Sequence, residues 1–308
     1  MSEHTPVLVE ESLSALALEA DGYYVDATFG RGGHTARILE ALGREGCVLA
    51  LDRDAAAIEA GRTRFAHEMR LALVHASFAE LATLVPRHGD GRPCRGVLFD
   101  LGVSSPQLDD PARGFSFRAD GPIDMRMDAT RGEPVSAWLA RAGVDEIREV
   151  IATLGEERFA RRIAESIVST RVAAPLTRTS QLAELVSRAV RTREPGKHPA
   201  TRTFQALRVF INDELGQLER GLAAAANALS IGGRLAVITF HSLEDRAVKQ
   251  FMQSESRIPP DLARLPVIPP AAEPRFKIVG RKTRPADDEV ARNPRARSAM
   301  LRVAERVR

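Results

Sequence analysis

Short apolar runs alternate with amphipathic stretches through the first hundred residues. Tyr23–Thr28, Cys47–Asp52, Leu71–His75 and Gly96–Leu101 are compact and nearly uninterrupted, the pattern of strands covered on both faces. Between them, segments 35–42, 55–65 and 78–85 space their apolar residues three and four apart, which predicts helices. In the first of these, Ile38, Leu39 and Leu42 share one face, Thr35 is an N-cap candidate and Gly43 stops the helix. Strands alternating with helices indicate βαβ units and a parallel sheet.

The rhythm breaks near Asp109. A Gly/Pro/Asp-rich stretch, 110–134, leads into helical periodicity around 144–154, 157–170 and 180–192, with no strand signal before Pro199. The stripe of Leu182, Leu185, Val186, Ala189 and Val190 reads as ordinary helix core. A long helix is predicted over 203–229, then a strand over 234–240 and a helix capped by Ser242. Segments 276–279 and 299–303 are the last strand candidates. The economical organisation is one α/β domain, residues 1–108 and 203–308, interrupted by an inserted all-helical domain, 109–202.

Composition narrows the class without naming a chemistry. The chain has 308 residues, 44% of them apolar and 28% charged, ordinary for a globular protein with a large core. No run approaches the roughly 18 apolar residues of a membrane span, and the first residues lack the basic and apolar regions of a secretory signal. Membrane attachment is therefore not expected, and a cytoplasmic location is. Two cysteines, Cys47 and Cys94, allow neither a disulfide framework nor a zinc cluster. His34, His75 and His198 lack metal-ligand spacing, so no metal site is predicted. Net charge is +3 and pI about 9.2, but the charge is unevenly placed. Residues 264–308 hold twelve basic and five acidic side chains, and 191–208 hold five basic against Glu194. Such clustering fits a polyanionic partner, or a solvated face.

Candidate chemistry sits at the ends of the predicted strands. Asp26-x-x-x-Gly30-x-Gly32-Gly33 follows the first strand and opens a helix, letting a ligand approach backbone N–H groups closely. Asp52 ends the second strand about twenty residues later, where an acid accepts hydrogen bonds from a ribose diol. Capping of the following loops would also explain both acids. The loop suits a dinucleotide or S-adenosylmethionine; Thr35 stands where the dinucleotide fingerprint needs its third glycine. Phe78, after the third strand, either flanks an adenine or packs in the core. The fourth strand delivers Asp100 to the edge where ligands bind in open parallel sheets, and Ser104-Ser105-Pro106-Gln107 follows. That turn resembles the Ser/Asn/Asp-Pro-aromatic loop with which amino-group methyltransferases hold a base amine, with Gln107 in the aromatic place. A hydride-transfer enzyme has no use for it. His241-Ser242 lacks the Gly-x-Ser-x-Gly elbow of a hydrolase.

Larger blocks carry a closer resemblance. Asp26-Ala-Thr-Phe-Gly-Arg-Gly-Gly-His34, Leu51-Asp-Arg-Asp54, Asp100-Leu-Gly-Val-Ser-Ser-Pro-Gln-Leu-Asp109, Arg113-Gly-Phe-Ser-Phe117 and Asp124-Met-Arg-Met-Asp128 resemble the ribosomal RNA small-subunit methyltransferase H (MraW) family. So do His198-Pro-Ala-Thr-Arg-Thr-Phe-Gln205, Phe240-His-Ser-Leu-Glu-Asp245 and Asn293-Pro-Arg-Ala-Arg-Ser298. The matches run from His4 to the last strand. The resemblance implies a Rossmann-like S-adenosylmethionine-dependent methyltransferase sheet with an inserted helical domain. It also implies methyl transfer to N4 of a cytidine in the decoding (P-site) region of 16S rRNA. Carried over by position, the donor site comprises Gly32, Gly33, His34, Asp52, Phe78, Asp100 and Gln107, with Asp52 on the ribose and Gln107 bordering the methyl-transfer pocket.

Cytosine N4 is a poor nucleophile because its lone pair is delocalised into the ring. In-line alignment with the methyl carbon and acceptors that favour a pyramidal nitrogen are what an enzyme can supply. Ser104, Ser105 and the Pro106 turn, with Asp100 behind them, are the catalytic candidates. A base must leave its stack to be reached, so Arg113, Phe115 and Phe117, and Lys197 and Arg202, are candidate RNA contacts, as are Arg295 and Arg297. For the two phenylalanines, packing between domains is the alternative. The expected partner is 16S rRNA within the small ribosomal subunit, and a homodimer is compatible with the sequence. Competing readings are methylation of DNA or another RNA amine, a non-catalytic RNA-binding or assembly factor, and a nicotinamide-dependent dehydrogenase.

Overall fold

The computed structural model describes residues 6–190, 196 and 198–308. In chain order its elements are α1 (Val9–Leu16), β1 (Tyr23–Asp26), α2 (Gly33–Ala41), β2 (Cys47–Asp52), α3 (Ala55–Arg64), β3 (Leu71–His75), α4 (Leu81–Gly89) and β4 (Cys94–Asp100). Six helices follow: α5 (Ser105–Asp109), α6 (Val135–Arg141), α7 (Val144–Gly155), α8 (Ala160–Ala173), α9 (Thr179–Ala189) and α10 (Thr201–Ile211). Then come α11 (Glu214–Ala228), β5 (Leu229–Thr239), α12 (Ser242–Glu255), β6 (Phe276–Ile278), α13 (Asp287–Arg292) and β7 (Met300–Arg306). The chain divides into two compact units, one of residues 1–102 with 215–308, the other of residues 103–214.

The first unit is built on a sheet of order β3-β2-β1-β4-β5-β7-β6. The first five strands in that list are parallel, and β7 runs antiparallel between β5 and β6. Strand order reverses at β1 and β4, the place where open α/β sheets bind ligands beyond their carboxyl ends. Period-two alternation sorts the side chains onto two faces. Tyr23, Val25, Val97, Phe99, Leu235 and Val237 join one buried cluster with Leu81, Leu222 and Val248. Tyr24, Leu98, Ala236 and Ile238 join another with Leu8, Leu16, Ile38 and Leu39. Both faces are covered, which is why these strands read as continuous apolar runs.

The second unit is helical and has its own core around Trp138, Ile147, Ile151, Ile163, Val186 and Leu207. The units meet at 102/103 and 214/215 rather than at the expected 108/109 and 202/203, because Leu108 and the whole of α10 pack with the helical core. The predicted 203–229 helix is two helices. Asp213 takes a left-handed φ of 47° and ends the first, and the side chain of Asn212 is spent on other backbone. Its Nδ2 donates to the carbonyls of Met125 (2.7 Å) and Arg208 (2.9 Å), and its Oδ1 accepts from Met127 N (2.8 Å). Asn212→Ala would orphan buried backbone groups, so a loss of about 2 to 4 kcal/mol is expected in chemical denaturation. A loss below about 1 kcal/mol would contradict this role.

Candidate functional site

Three neighbouring strands, β2, β1 and β4, each end in an aspartate: Asp52, Asp26 and Asp100. The glycine loop crosses this edge. Gly30 and Gly32 have φ of +55° and +71°, conformations that other residues adopt only under strain. A Cβ on Gly30 would meet nothing nearer than 3.9 Å, so its backbone faces open space. The helix after the loop begins at Gly33 with Gly32 as its N-cap, two residues earlier than the sequence suggests. Thr35 is no cap: its buried hydroxyl donates to Asp26 Oδ2 at 2.6 Å.

Asp26 is fully buried and structural. Thr35 holds one carboxylate oxygen and Thr28 N donates to the other at 3.2 Å. Thr28 Oγ1 then accepts the Asp100 N–H at 2.6 Å, so a single residue fastens the β1 turn to the end of β4. Sequence reasoning passed over Thr28; its place two residues after a strand-ending Asp, the spacing of an Asx turn, was the available signal.

Asp52 is oriented by the backbone. Its Oδ2 accepts Gly30 N at 2.7 Å and its Oδ1 accepts Asp54 N at 2.8 Å, leaving further lone pairs for a diol. Asp100 Oδ1 is buried and has no hydrogen-bond partner among the described residues. Its Oδ2 lies 3.6 Å from His34 Nδ1. The other ring nitrogen of His34, Nε2, is 3.1 Å from the Val7 carbonyl, which can only accept, so Nε2 carries a proton. Burial pushes the Asp100 carboxyl up to about 6; His34 opposes this, while Asp26 and Glu244 add to it. Burial likewise lifts Asp52 to about 6 against its two backbone hydrogen bonds.

These values predict a pH dependence. Both acids titrate higher in the native state than in the unfolded chain, so ionising them destabilises the free protein. The penalty is absent below about pH 4 and complete above about pH 6. Methyl transfer that needs ionised Asp100 is expected to fall tenfold per pH unit below about 6 and to level off above it. An acid limb that persists unshifted in Asp100→Asn would overturn the assignment.

Phe78 lies beyond the end of β3 and is half-buried. Its ring meets Phe99 edge-on at 5.4 Å, and a Cβ on Gly221 would come within 2.5 Å of it. Ser77 beside it bonds Gln217 at 2.6 Å. Gly32, Gly33, His34, Asp52, Phe78 and Asp100 therefore share one edge of one unit. Ser104, Ser105, Pro106 and Gln107 belong to the other unit and form the first turn of α5. There Gln107 Oε1 accepts the Ser104 N–H at 3.0 Å, so the residue expected to border the pocket spends its amide oxygen closing the turn. Gly102, with φ of +97°, releases the chain from β4 just before it.

The candidate RNA contacts divide. Phe115 is 6% exposed within the helical core, which leaves no ring face for a base; that expectation is corrected. Arg113 donates to the carbonyls of Arg126 and Met127 at 3.0 and 2.9 Å, bracing the 124–127 loop. Phe117 stacks on His198 at 4.5 Å and meets Phe204 edge-on at 5.0 Å. Arg202 donates to the Glu156 carbonyl. Arg295 and Arg297 are exposed on the turn Pro294–Ser298 that enters β7. Lys197 lies outside the described residues. His241, not Ser242, is the N-cap of α12, with Nδ1 facing Glu244 N at 3.4 Å and Glu244 reciprocating.

The edge offers an oriented carboxylate for a ribose diol, N–H groups at the start of α2 for a carboxylate, and the unpartnered Asp100 Oδ1 toward a cationic centre. S-Adenosylmethionine fits this donor set, and the fold and site define an S-adenosylmethionine-dependent methyltransferase. The chain belongs to the MraW methylase family, which it matches over residues 1–307. It is 55% identical over 308 residues to the ribosomal RNA small subunit methyltransferase H of Azoarcus sp. (strain BH72), covering 99% of this chain and 97% of that protein. The proteins of the same name from Herminiimonas arsenicoxydans and Dechloromonas aromatica (strain RCB) are each 53% identical. They span 99% of this chain and 95% and 98% of their own lengths.

Proposed function

We propose that the protein methylates N4 of a cytidine in the decoding region of 16S rRNA, acting in the cytoplasm on the small ribosomal subunit. The observation that carries this reading is the buried, unpartnered Asp100 Oδ1 at the end of β4, followed within four residues by the Ser104-Ser105-Pro106 turn. The names of the 53–55% identical relatives support the substrate class.

Asp52 and the N–H groups of Gly33 and His34 hold the donor, with Gly32 shaping the loop through its own N–H bond to the Phe29 carbonyl at 2.7 Å, and Phe78 flanks its adenine. When bound, S-adenosylmethionine supplies an electrophilic methyl carbon. The protein's own work is orientation and charge. Asp100 accepts from the attacking amine and takes up positive charge developing on it. Ser104, Ser105 and the carbonyls of their turn offer further acceptors. Their bonds favour a pyramidal nitrogen whose lone pair has left the ring. Arg202, Arg295, Arg297 and Phe117 meet the RNA.

Nucleoside mass spectrometry of rRNA from a deletion strain tests the reading. It predicts loss of one N4-methylated cytidine signal, restored by the intact gene. Unchanged rRNA nucleosides would refute it. Assays on subunits, free rRNA and DNA then separate rRNA from another nucleic-acid amine.

A further inference from the structure

Past β6 the ladder with β7 slips. Val279 N donates to Val303 O at 3.0 Å, and Thr283 and Leu301 exchange hydrogen bonds of 3.0 and 2.9 Å. Four steps along one chain thus oppose two along the other, so residues 280–282 stand against Arg302 alone and leave the ladder as a bulge with two residues in excess. Gly280, with φ of +67°, makes the turn. Bulges re-aim side chains at sheet rims and beside active sites. This one turns out Arg281 and Lys282, both exposed.

Strand register locates the bulge. Asp100 pairs with Ile238, Ile238 with Leu301, and Leu301 with Thr283. These four residues form one row across the same unit. At about 4.8 Å per strand, the bulge lies roughly 15 Å from Asp100 along the carboxyl edge that holds the donor site.

Other cations gather there. Asp245 on α12 is chelated by Arg302 at 2.7 and 3.0 Å. Lys282 and Lys249, one helical turn beyond Asp245, act on the same carboxylate. Arg302 already meets that one acid, so the two lysines are surplus. Arg281 and Arg284 make no ion pair among the described residues. Nearby acids are mostly engaged: Asp288 with Arg292 at 3.0 Å, and Glu289 with Leu8 N at 2.9 Å; Asp287 stays exposed. Arg295 and Arg297 enter β7 from the same edge.

We propose that the 280–282 bulge, together with Lys249, clamps the phosphodiester backbone of the RNA strand whose base is presented at Asp100. The clamp rests on the rRNA reading above and extends it to the strand's path. A single small anion would not need cations projected on a bulge, a helix and a turn along one edge. An extended polyanion continuous with the target base would use all of them.

The test compares full-length wild type with R281E/K282E and with K249E. R87E is the control, since Arg87 is exposed on α4, which leads into the opposite, amino edge of β4. The probe is a fluorescein-labelled RNA fragment of the decoding region, read by anisotropy across a salt series. Each phosphate contact contributes roughly 0.7 to the slope of log K against log salt for single strands. R281E/K282E is therefore expected to bind at least tenfold more weakly at low salt, with a slope smaller by about 1.4. K249E is expected to shift half as far. S-Adenosylhomocysteine affinity by calorimetry stays within twofold in every variant, which certifies the fold. Both clamp variants matching R87E in affinity and slope would overturn the clamp alone. Wild-type protein that binds the donor but no RNA would overturn the functional reading and the clamp together.

Discussion

An Asp100→Asn variant is expected to lose about 100- to 1,000-fold in turnover while keeping S-adenosylhomocysteine affinity within about tenfold of wild type. The substitution keeps shape and one carbonyl acceptor but removes the charge. The backbone at this point is fixed independently, by the Asp100 N–H to Thr28 Oγ1 bond of 2.6 Å, so the side chain's loss does not release the strand end. What disappears is the unpartnered Oδ1 as an ionised acceptor and the carboxylate 3.6 Å from His34. Steady-state kinetics with saturating donor measures the effect. Turnover within fivefold of wild type would mean that Asp100 does not face the reacting amine.

Asp52→Ala is expected to behave in the opposite way. Donor affinity falls about 100-fold, near 2.7 kcal/mol, because the diol loses its charged acceptor while the N–H groups of Gly30 and Asp54 lose theirs. Turnover at saturating donor stays within several-fold, since Asp52 touches nothing that changes charge in the reaction. Calorimetry with S-adenosylhomocysteine checks it. Equal loss in turnover and affinity would show that Asp52 also positions the methyl group. The pair of variants separates holding the donor from using it.

Much of this edge was legible in the chain. Strands sandwiched between helix layers announce themselves as continuous apolar runs, and an Asp closing three of the first four marks the edge where a ligand binds, although only Asp100 keeps an oxygen without a partner among the described residues. The inserted unit was legible as a loss of strand periodicity. Its borders were not, because a helix's own periodicity does not say which core it packs in; α10 reads like α11, yet it belongs to the other unit. The break between them depends on an Asn-Asp pair whose side chain reaches back 85 and 87 residues to Met127 and Met125. No local pattern encodes such a bond.

The aromatic residues were the least readable. Arg113-Gly-Phe115-Ser-Phe117 looks like a basic loop with stacking rings, but a side chain's direction in irregular backbone has no period to follow. The structure turns Phe115 inward and pairs Phe117 with His198. Gln107 illustrates the same limit: three residues after a Ser, it satisfies a capping box as readily as a ligand, and the fold uses the former at the amide oxygen. The bulge at 280–282 was hidden because Gly-Arg-Lys reads as a turn, and only the register across four strands shows where it points.

Small subunits purified from a strain lacking the protein, incubated with purified enzyme and methyl-labelled S-adenosylmethionine, then digested to nucleosides, give the decisive reading. The label is expected in a single N4-methylated cytidine. Label on a ring carbon, on a ribose 2′-oxygen or on another base, or none at all, would contradict the proposed transfer to the cytidine amine.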